Sequence, residues 1–288
     1  MSDELVHKTC PANRFLNEVA WLSFAKKIVP NNIPHITKII HDKHGYVMQK
    51  MGKKNLYQYI SKQSPQQAKI LFNKFVDFVD SDLHKSNKPV NPDDIRHMYF
   101  DKPMKSIQTL GAFSKQNLTI NGEQYVSALD ILSKTYNLLE KKLTDTEYSF
   151  IHGDLTLSNV VFNRDKNSFY LIDPRGEFGS TKLYGDVRYD IAKLHYSVAG
   201  SFDSLNNKHF KVTKNDTNDF TYKIENNTSF LDKIIFDKFD QDKELIEYIH
   251  ATIWLSLMPH LIDDKDQMTT AYLHGTVLLN KVYNKINN

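Results

Sequence analysis

The chain has 288 residues, 40% hydrophobic and 25% charged, with a formal net charge of +3 at pH 7. That length supports one large or two modest domains with a substantial core, while the small charge and scattered lysine pairs (26–27, 53–54, 141–142) exclude the one-faced basic patch of a nucleic-acid binder. The single cysteine, Cys10, excludes a disulfide framework and a cysteine-based zinc cluster; no basic-then-apolar leader opens the sequence, and its longest apolar stretch, 251–262, is too short and too interrupted to span a bilayer.

Leu5-Val6-His7-Lys8 reads as a short strand, and residues 15–22 place apolar side chains at helical spacing with Glu18 on the polar side. His44 to Gly52 fits a turn, a buried strand and a break before a helical stretch near Leu56, although an edge strand fits as well. Ser64-Pro65-Gln66-Gln67 is a helix start with a capping hydroxyl, proline at the first helical position and glutamine three residues on. Ile70, Leu71, Phe75, Phe78 and Val79 then suggest a core-facing stripe. A second helix is predicted from Gln124 to Leu143, where Val126, Leu129, Leu132, Tyr136 and Leu139 recur at the same period.

Next comes Ile151-His152-Gly153-Asp154-Leu155-Thr156-Leu157-Ser158-Asn159, a polar loop between apolar segments. Strands at 160–163 and 168–172 follow, joined by the turn Arg164-Asp165-Lys166-Asn167. Asp173 ends the second strand and leads into Pro174-Arg175-Gly176. Farther on, Phe210, Val212, Phe220, Tyr222 and Ile224 alternate about a turn at 215–219, which predicts a hairpin inserted among helices. Helices at about 243–262 and 267–284 complete the chain. His41 and His44 have no partner at metal-ligand spacing and read as loop residues.

Asp154, Asn159 and Asp173 thus bring two acids and an amide to one end of a strand pair. Phosphoryl transfer from a nucleotide needs mainly positioning and neutralisation of phosphate charge by magnesium. Asp154 is the candidate base that orients an acceptor hydroxyl and takes its proton. Magnesium prefers oxygen ligands and commonly uses one or two carboxylates besides phosphates and water; Asp173 and the amide oxygen of Asn159 suit it.

These segments resemble the aminoglycoside phosphotransferase and choline kinase family, which shares the protein-kinase-like fold. Its catalytic loop reads H-G-D-x-x-x-x-N and its metal aspartate follows a hydrophobic strand as I-D; a G-D-x-x-Y-D-x-A-K-L segment like Tyr184 to Leu194 opens a later helix in many relatives. The resemblance implies an α+β, protein-kinase-like two-lobed fold with a reduced N-terminal lobe, residues 1–52, and a mainly helical C-terminal lobe, residues 53–288. It implies that Lys8 holds nucleotide phosphates and pairs with Glu18, each of which could otherwise be a solvated surface charge. The backbone of Gln49, Lys50 and Met51 would form the hinge that holds the base. Asp190 would brace the catalytic loop, or be an ordinary acid at a helix N-terminus. His152 would shape the loop rather than shuttle a proton.

The sequence departs from the family at its start. Only seven residues precede Lys8, and no glycine-rich stretch is available to cover the phosphates. A reduced kinase, a piece of a longer two-domain protein and a relative without catalysis all fit. In some relatives associated with bacterial surface polysaccharides, a kinase-like part follows a nucleotidyltransferase-like part, so a nucleotidyltransferase partner or fused domain is a further expectation.

For the acceptor, Tyr189, Tyr196, Phe202 and Trp254 could cage a quaternary ammonium group or simply pack a core, and Asp263 and Asp264 only hint at an aminoglycoside. Arg175 could meet an anionic acceptor such as a sugar acid or sugar phosphate, or form a salt bridge to Glu177 or Asp186. The expected activity is magnesium-dependent transfer of the γ-phosphate of ATP or GTP to a hydroxyl of a small molecule. The acceptor would be a sugar, polyol or amino alcohol, with capsule polysaccharide biosynthesis as one setting and the cytoplasm as the compartment. The rival is a catalytically silent kinase-like module that binds a nucleotide, metabolite or protein. Protein kinase activity is disfavoured because no A-P-E-type segment follows Asp173.

Overall fold

The structure is a computed structural model and describes residues 4–85 and 87–287. In chain order, β1 (Leu5–Thr9) leads to α1 (Ala12–Ile28), β2 (Ile36–Ile40), β3 (Gly45–Gln49), α2 (Leu56–Ile60) and α3 (Pro65–Phe78). Two short helices, α4 (Pro92–Arg96) and α5 (Lys102–Gln108), precede strands β4 (Leu118–Ile120) and β5 (Glu123–Tyr125) and helix α6 (Ala128–Thr144). Strand β6 (Tyr148–Phe150) then enters the hairpin β7 (Val160–Asn163) and β8 (Ser168–Leu171). Three very short strands, β9 (Glu177–Phe178), β10 (Thr181–Lys182) and β11 (Tyr184–Asp186), open into α7 (Val187–Val198). Helix α8 (Phe202–Asn206), the hairpin β12 (Phe210–Asp216) and β13 (Asp219–Ile224), and helices α9 (Asp232–Lys238), α10 (Lys243–Leu255) and α11 (Lys265–Asn287) follow.

The chain gathers into two compact units, one of residues up to 89 with 147–190, the other of 90–146 with 191 onward. In the first, the antiparallel order β1-β3-β2 makes β3 a central strand rather than an edge, in keeping with its run of buried residues. Helix α1 buries Phe15, Glu18, Trp21, Leu22 and Ala25. Glu18, expected on the polar side, is only 3% exposed, because a cation and two further donors meet its carboxylate. The Trp21 indole donates to the Ile151 carbonyl at 2.6 Å and ties this helix to the segment after β6. Gly176, at φ +73°, lies so close to α1 that a Cβ there would come within 2.4 Å of the Asn17 carbonyl oxygen, so only glycine permits this approach.

Helix α3 begins as its sequence indicates, with the Ser64 hydroxyl accepting the Gln67 N–H at 3.4 Å. Its inner stripe, however, is Ala68, Phe72, Phe75 and Val76, continued by Val79, and Ile70 is 66% exposed. Those buried positions keep the i, i+4, i+7, i+8 spacing of a single helix face; Leu71, at i+3, borders it half-buried, and Ile70 lies on the opposite side.

In the second unit the predicted 210–224 hairpin forms, and β13 also pairs in parallel with β4, giving the order β12-β13-β4-β5. Residues 124 and 125, expected to be helical, belong to β5; α6 starts only after Ser127, whose hydroxyl accepts the Asp130 N–H at 3.2 Å. Helix α10 stops at Leu255 rather than near 262, and a short 3₁₀ turn containing Pro259 follows, consistent with proline's missing N–H. Tyr196 stacks on Phe202 at 4.4 Å and meets Trp254 at 4.8 Å, with Tyr196 and Trp254 fully buried. Tyr189 packs on Phe178 in the first unit. These rings are core packing, not an open cage.

Candidate functional site

The loop after β6 is held by Asp190. One carboxylate oxygen accepts the His152 N–H at 2.7 Å, the other accepts the Gly153 N–H at 2.8 Å, and His84 Nε2 lies 3.1 Å from the first. Gly153 has φ +78°, a left-handed conformation suited to glycine, and an added Cβ would sit 2.9 Å from that of Arg175. His152 Nε2 donates to the Ile172 carbonyl at 2.9 Å while its Nδ1 accepts the Asp154 N–H at 3.3 Å. The imidazole is therefore a neutral strut between the loop and the residue preceding Asp173. Burial pushes its pKa down, against the opposing pull of Asp190.

Two further histidines are held neutral by burial: the pKa of His250 lies well below the usual value and that of His274 is pushed down to about 3. Unfolding frees all three to take up protons below their ordinary value of 6.5. Their contribution is thus fully present above that pH and is lost as pH falls, by up to roughly 1.4 kcal/mol per histidine per pH unit. The melting temperature is expected to fall steadily when pH is lowered from about 6.5 to about 5; a flat profile in calorimetry would contradict the neutral assignment.

Asn159 donates through Nδ2 to the Asp154 carbonyl at 2.8 Å and to Asp154 Oδ2 at 3.2 Å. Its amide oxygen is thereby turned away from Asp154. Asp173 adopts φ +58°, a sparsely populated conformation for a non-glycine residue and one found at functional sites. Lys8 Nζ donates to Asp173 Oδ1 at 2.6 Å and also to Glu18 Oε1. Burial alone would lower the Lys8 pKa, but the two carboxylates outweigh it and raise the pKa, so the ammonium stays charged.

Two residues of this network had no sequence signal of their own. Tyr46, opposite Lys8 in the β1–β3 register, donates its hydroxyl to Glu18 Oε1 at 2.8 Å. The Cys10 thiol donates to Glu18 Oε2 at 2.8 Å, and burial beside Glu18 pushes its pKa up to about 12, so it stays protonated. The cross-strand partner of Lys8 becomes visible only once the β1–β3 pairing is known.

Gln49 and Met51 lie apart from this network, lining a hollow of about 350 Å³ with Ile33, His35 and Tyr170. The Gln49 N–H donates to the His35 carbonyl at 2.9 Å, and the Met51 carbonyl accepts from Asn163 Nδ2 at 2.8 Å. The Arg175 N–H donates to the His152 carbonyl at 3.0 Å, which sets this residue beside the loop that follows β6. Glu177 is engaged by Asn17 and Lys182, and Asp186 by Arg188. Among the described residues no hydrogen bond or ion pair occupies the Arg175 guanidinium.

No group of three or more His, Cys, Asp or Glu side chains forms a metal cage among the described residues. Magnesium does not need one, since phosphates and water complete its octahedron. One carboxylate at Asp173 and one amide oxygen at Asn159 fit that sparse donor set.

The three-stranded sheet with its packed helix, followed by the braced loop, hairpin and aspartate, is a protein-kinase-like arrangement. A family model described as the phosphotransferase enzyme family matches residues 4–210, more than half of the sequence, and the chain belongs to that family. No curated protein matches it. Among solved structures, the gentamicin complex of the aminoglycoside phosphotransferase APH(2")-IIa superposes with a TM-score of 0.56 at 15% identity, covering 95% of this chain and 85% of that one. A putative fructosamine-3-kinase from Haemophilus somnus gives 0.54 at 13% identity, covering 99% and 83%. The choline kinase LicA from Streptococcus pneumoniae gives 0.50 at 14% identity, covering 98% and 87%. At these identities the superpositions establish the fold. Among the described residues no helix is long and apolar enough to cross a membrane.

Proposed function

We infer that the chain is a magnesium-dependent phosphotransferase that moves the γ-phosphate of ATP or GTP to a hydroxyl of a small molecule. The observation that carries this reading is the Lys8 ammonium joined to both Glu18 and Asp173, residues far apart in sequence, in the same unit as the Asp154–Asn159 pair. Lys8, steered by Glu18, meets the nucleotide phosphates. The base lies against segment 49–51, in the hollow that Gln49 and Met51 line. Asp173 and the Asn159 oxygen hold the metal, which when bound neutralises charge on the phosphates. Asp154 orients the acceptor hydroxyl and takes its proton.

Arg175 is the acceptor-side residue of this reading. Its unengaged planar fork matches a carboxylate or phosphate, which favours a sugar acid or sugar phosphate over choline and is compatible with a precursor of a surface polysaccharide made in the cytoplasm.

A thermal-shift titration with ATP and GTP, each with and without magnesium, tests the proposal, because a ligand that binds only the folded state raises its melting temperature. The expected result is a magnesium-dependent rise that disappears in Asp173→Ala. A magnesium response retained in that variant would move the metal elsewhere, and no shift with either nucleotide would sink the reading.

A further inference from the structure

Next to the segment that follows β3, a hollow of about 430 Å³ opens among α2, the start of α3 and the end of β7. Lys54, Lys62 and Arg164 line it, and no carboxylate does. Among the described residues none of these three side chains is engaged in an ion pair or hydrogen bond, so all three cations are available to a ligand in the hollow. The floor is aromatic: Tyr59 and Phe162 meet edge to face with ring centroids 4.9 Å apart.

We propose that this hollow binds a compact polyanion, a small molecule carrying a pyrophosphate, phosphate or paired carboxylates, with the rest of its body against Tyr59 and Phe162. Like charges spread over a flat surface are screened within about 8 Å at physiological salt. Around a concave, partly apolar wall their fields add, and a cleft of one sign concentrates counter-ions. Arg164 offers a planar fork that pairs two oxygens at once, while Lys54 and Lys62 supply point charges that adapt to the remaining ones. The lining shares no residue with Lys8, Glu18, Asp154, Asn159, Asp173 or Arg175, so this is a second site. It borders the strand whose Asn163 holds the Met51 carbonyl.

Calorimetric titration of pyrophosphate, and separately of citrate, into the full chain at low ionic strength without nucleotide or magnesium tests the proposal and distinguishes a phosphate from a carboxylate ligand. Saturable binding of at least one probe is expected, weakened about tenfold or more in the double variant Lys62→Gln with Arg164→Gln. The same binding should stay within about twofold in Lys8→Ala, which separates this hollow from the phosphate-holding lysine. Both double-variant positions are exposed, so an unchanged melting temperature shows that the fold is intact. No binding of either probe up to about 10 mM, or binding that survives in the double variant, would overturn the proposal. Neither result bears on the nucleotide titration.

Discussion

Replacing Asp154 with alanine is expected to lower the rate of phosphoryl transfer by roughly a hundredfold or more while leaving magnesium-dependent nucleotide binding largely intact. The separation follows from where the side chain sits. Asp154 shares its carboxylate with Asn159 Nδ2 at 3.2 Å, whereas Lys8 is joined to Glu18 and Asp173. Truncating Asp154 therefore removes the proposed proton acceptor without disturbing the cation that would meet the phosphates. Asn159 keeps its second contact, to the Asp154 backbone carbonyl at 2.8 Å, so its amide oxygen should stay oriented. Asp154→Asn is the stricter test, because it preserves shape and removes only basicity. Initial rates with any accepted hydroxyl compound, alongside thermal shifts with nucleotide, distinguish the cases. Undiminished activity in either variant would remove Asp154 from the mechanism.

The braced loop, the hairpin and the aspartate that ends it are legible in the sequence because their determinants are local. Asp154, Asn159 and Asp173 lie within twenty positions, separated by a loop and a tight hairpin whose turn residues announce themselves. The Ser64 cap of α3 and the 210–224 hairpin were legible for the same reason. Features that depend on distant partners were not. Strands β4 and β5 are short, and Thr119 pairs with Asp219, far along the chain, so the 118–125 stretch carries little signal of its own. The pairing of Glu18 with Lys8 is implied by the family resemblance, but its burial is not, because that depends on the further donors Tyr46 and Cys10, which together with Lys8 offset the cost of burying a carboxylate. Arg175 could not be assigned from sequence, since both carboxylates near it were plausible partners until Lys182 and Arg188 proved to hold them.

Asp190→Ala should be the most destabilising of the site substitutions, through a residue that takes no part in the chemistry. The Asp190 side chain is fully buried and accepts the N–H groups of His152 and Gly153 at 2.7 and 2.8 Å. Both donors lie in a loop that Gly153 holds at φ +78°, where no regular ladder can satisfy them instead. Alanine would leave two buried donors unmet, each costing about 1–3 kcal/mol, and would strand His84, whose Nε2 sits 3.1 Å from the same carboxylate. A total near 4 kcal/mol corresponds to a fall in melting temperature of roughly 10 °C for a protein of this size class. Asp190→Asn should lose less, since its amide oxygen still accepts one N–H. Activity should fall with loop order in both variants, because His152 would no longer fix the backbone before Asp154. Melting curves that match the parent for Asp190→Ala would show that the loop holds itself, and the brace would then be an ordinary acid near a helix start.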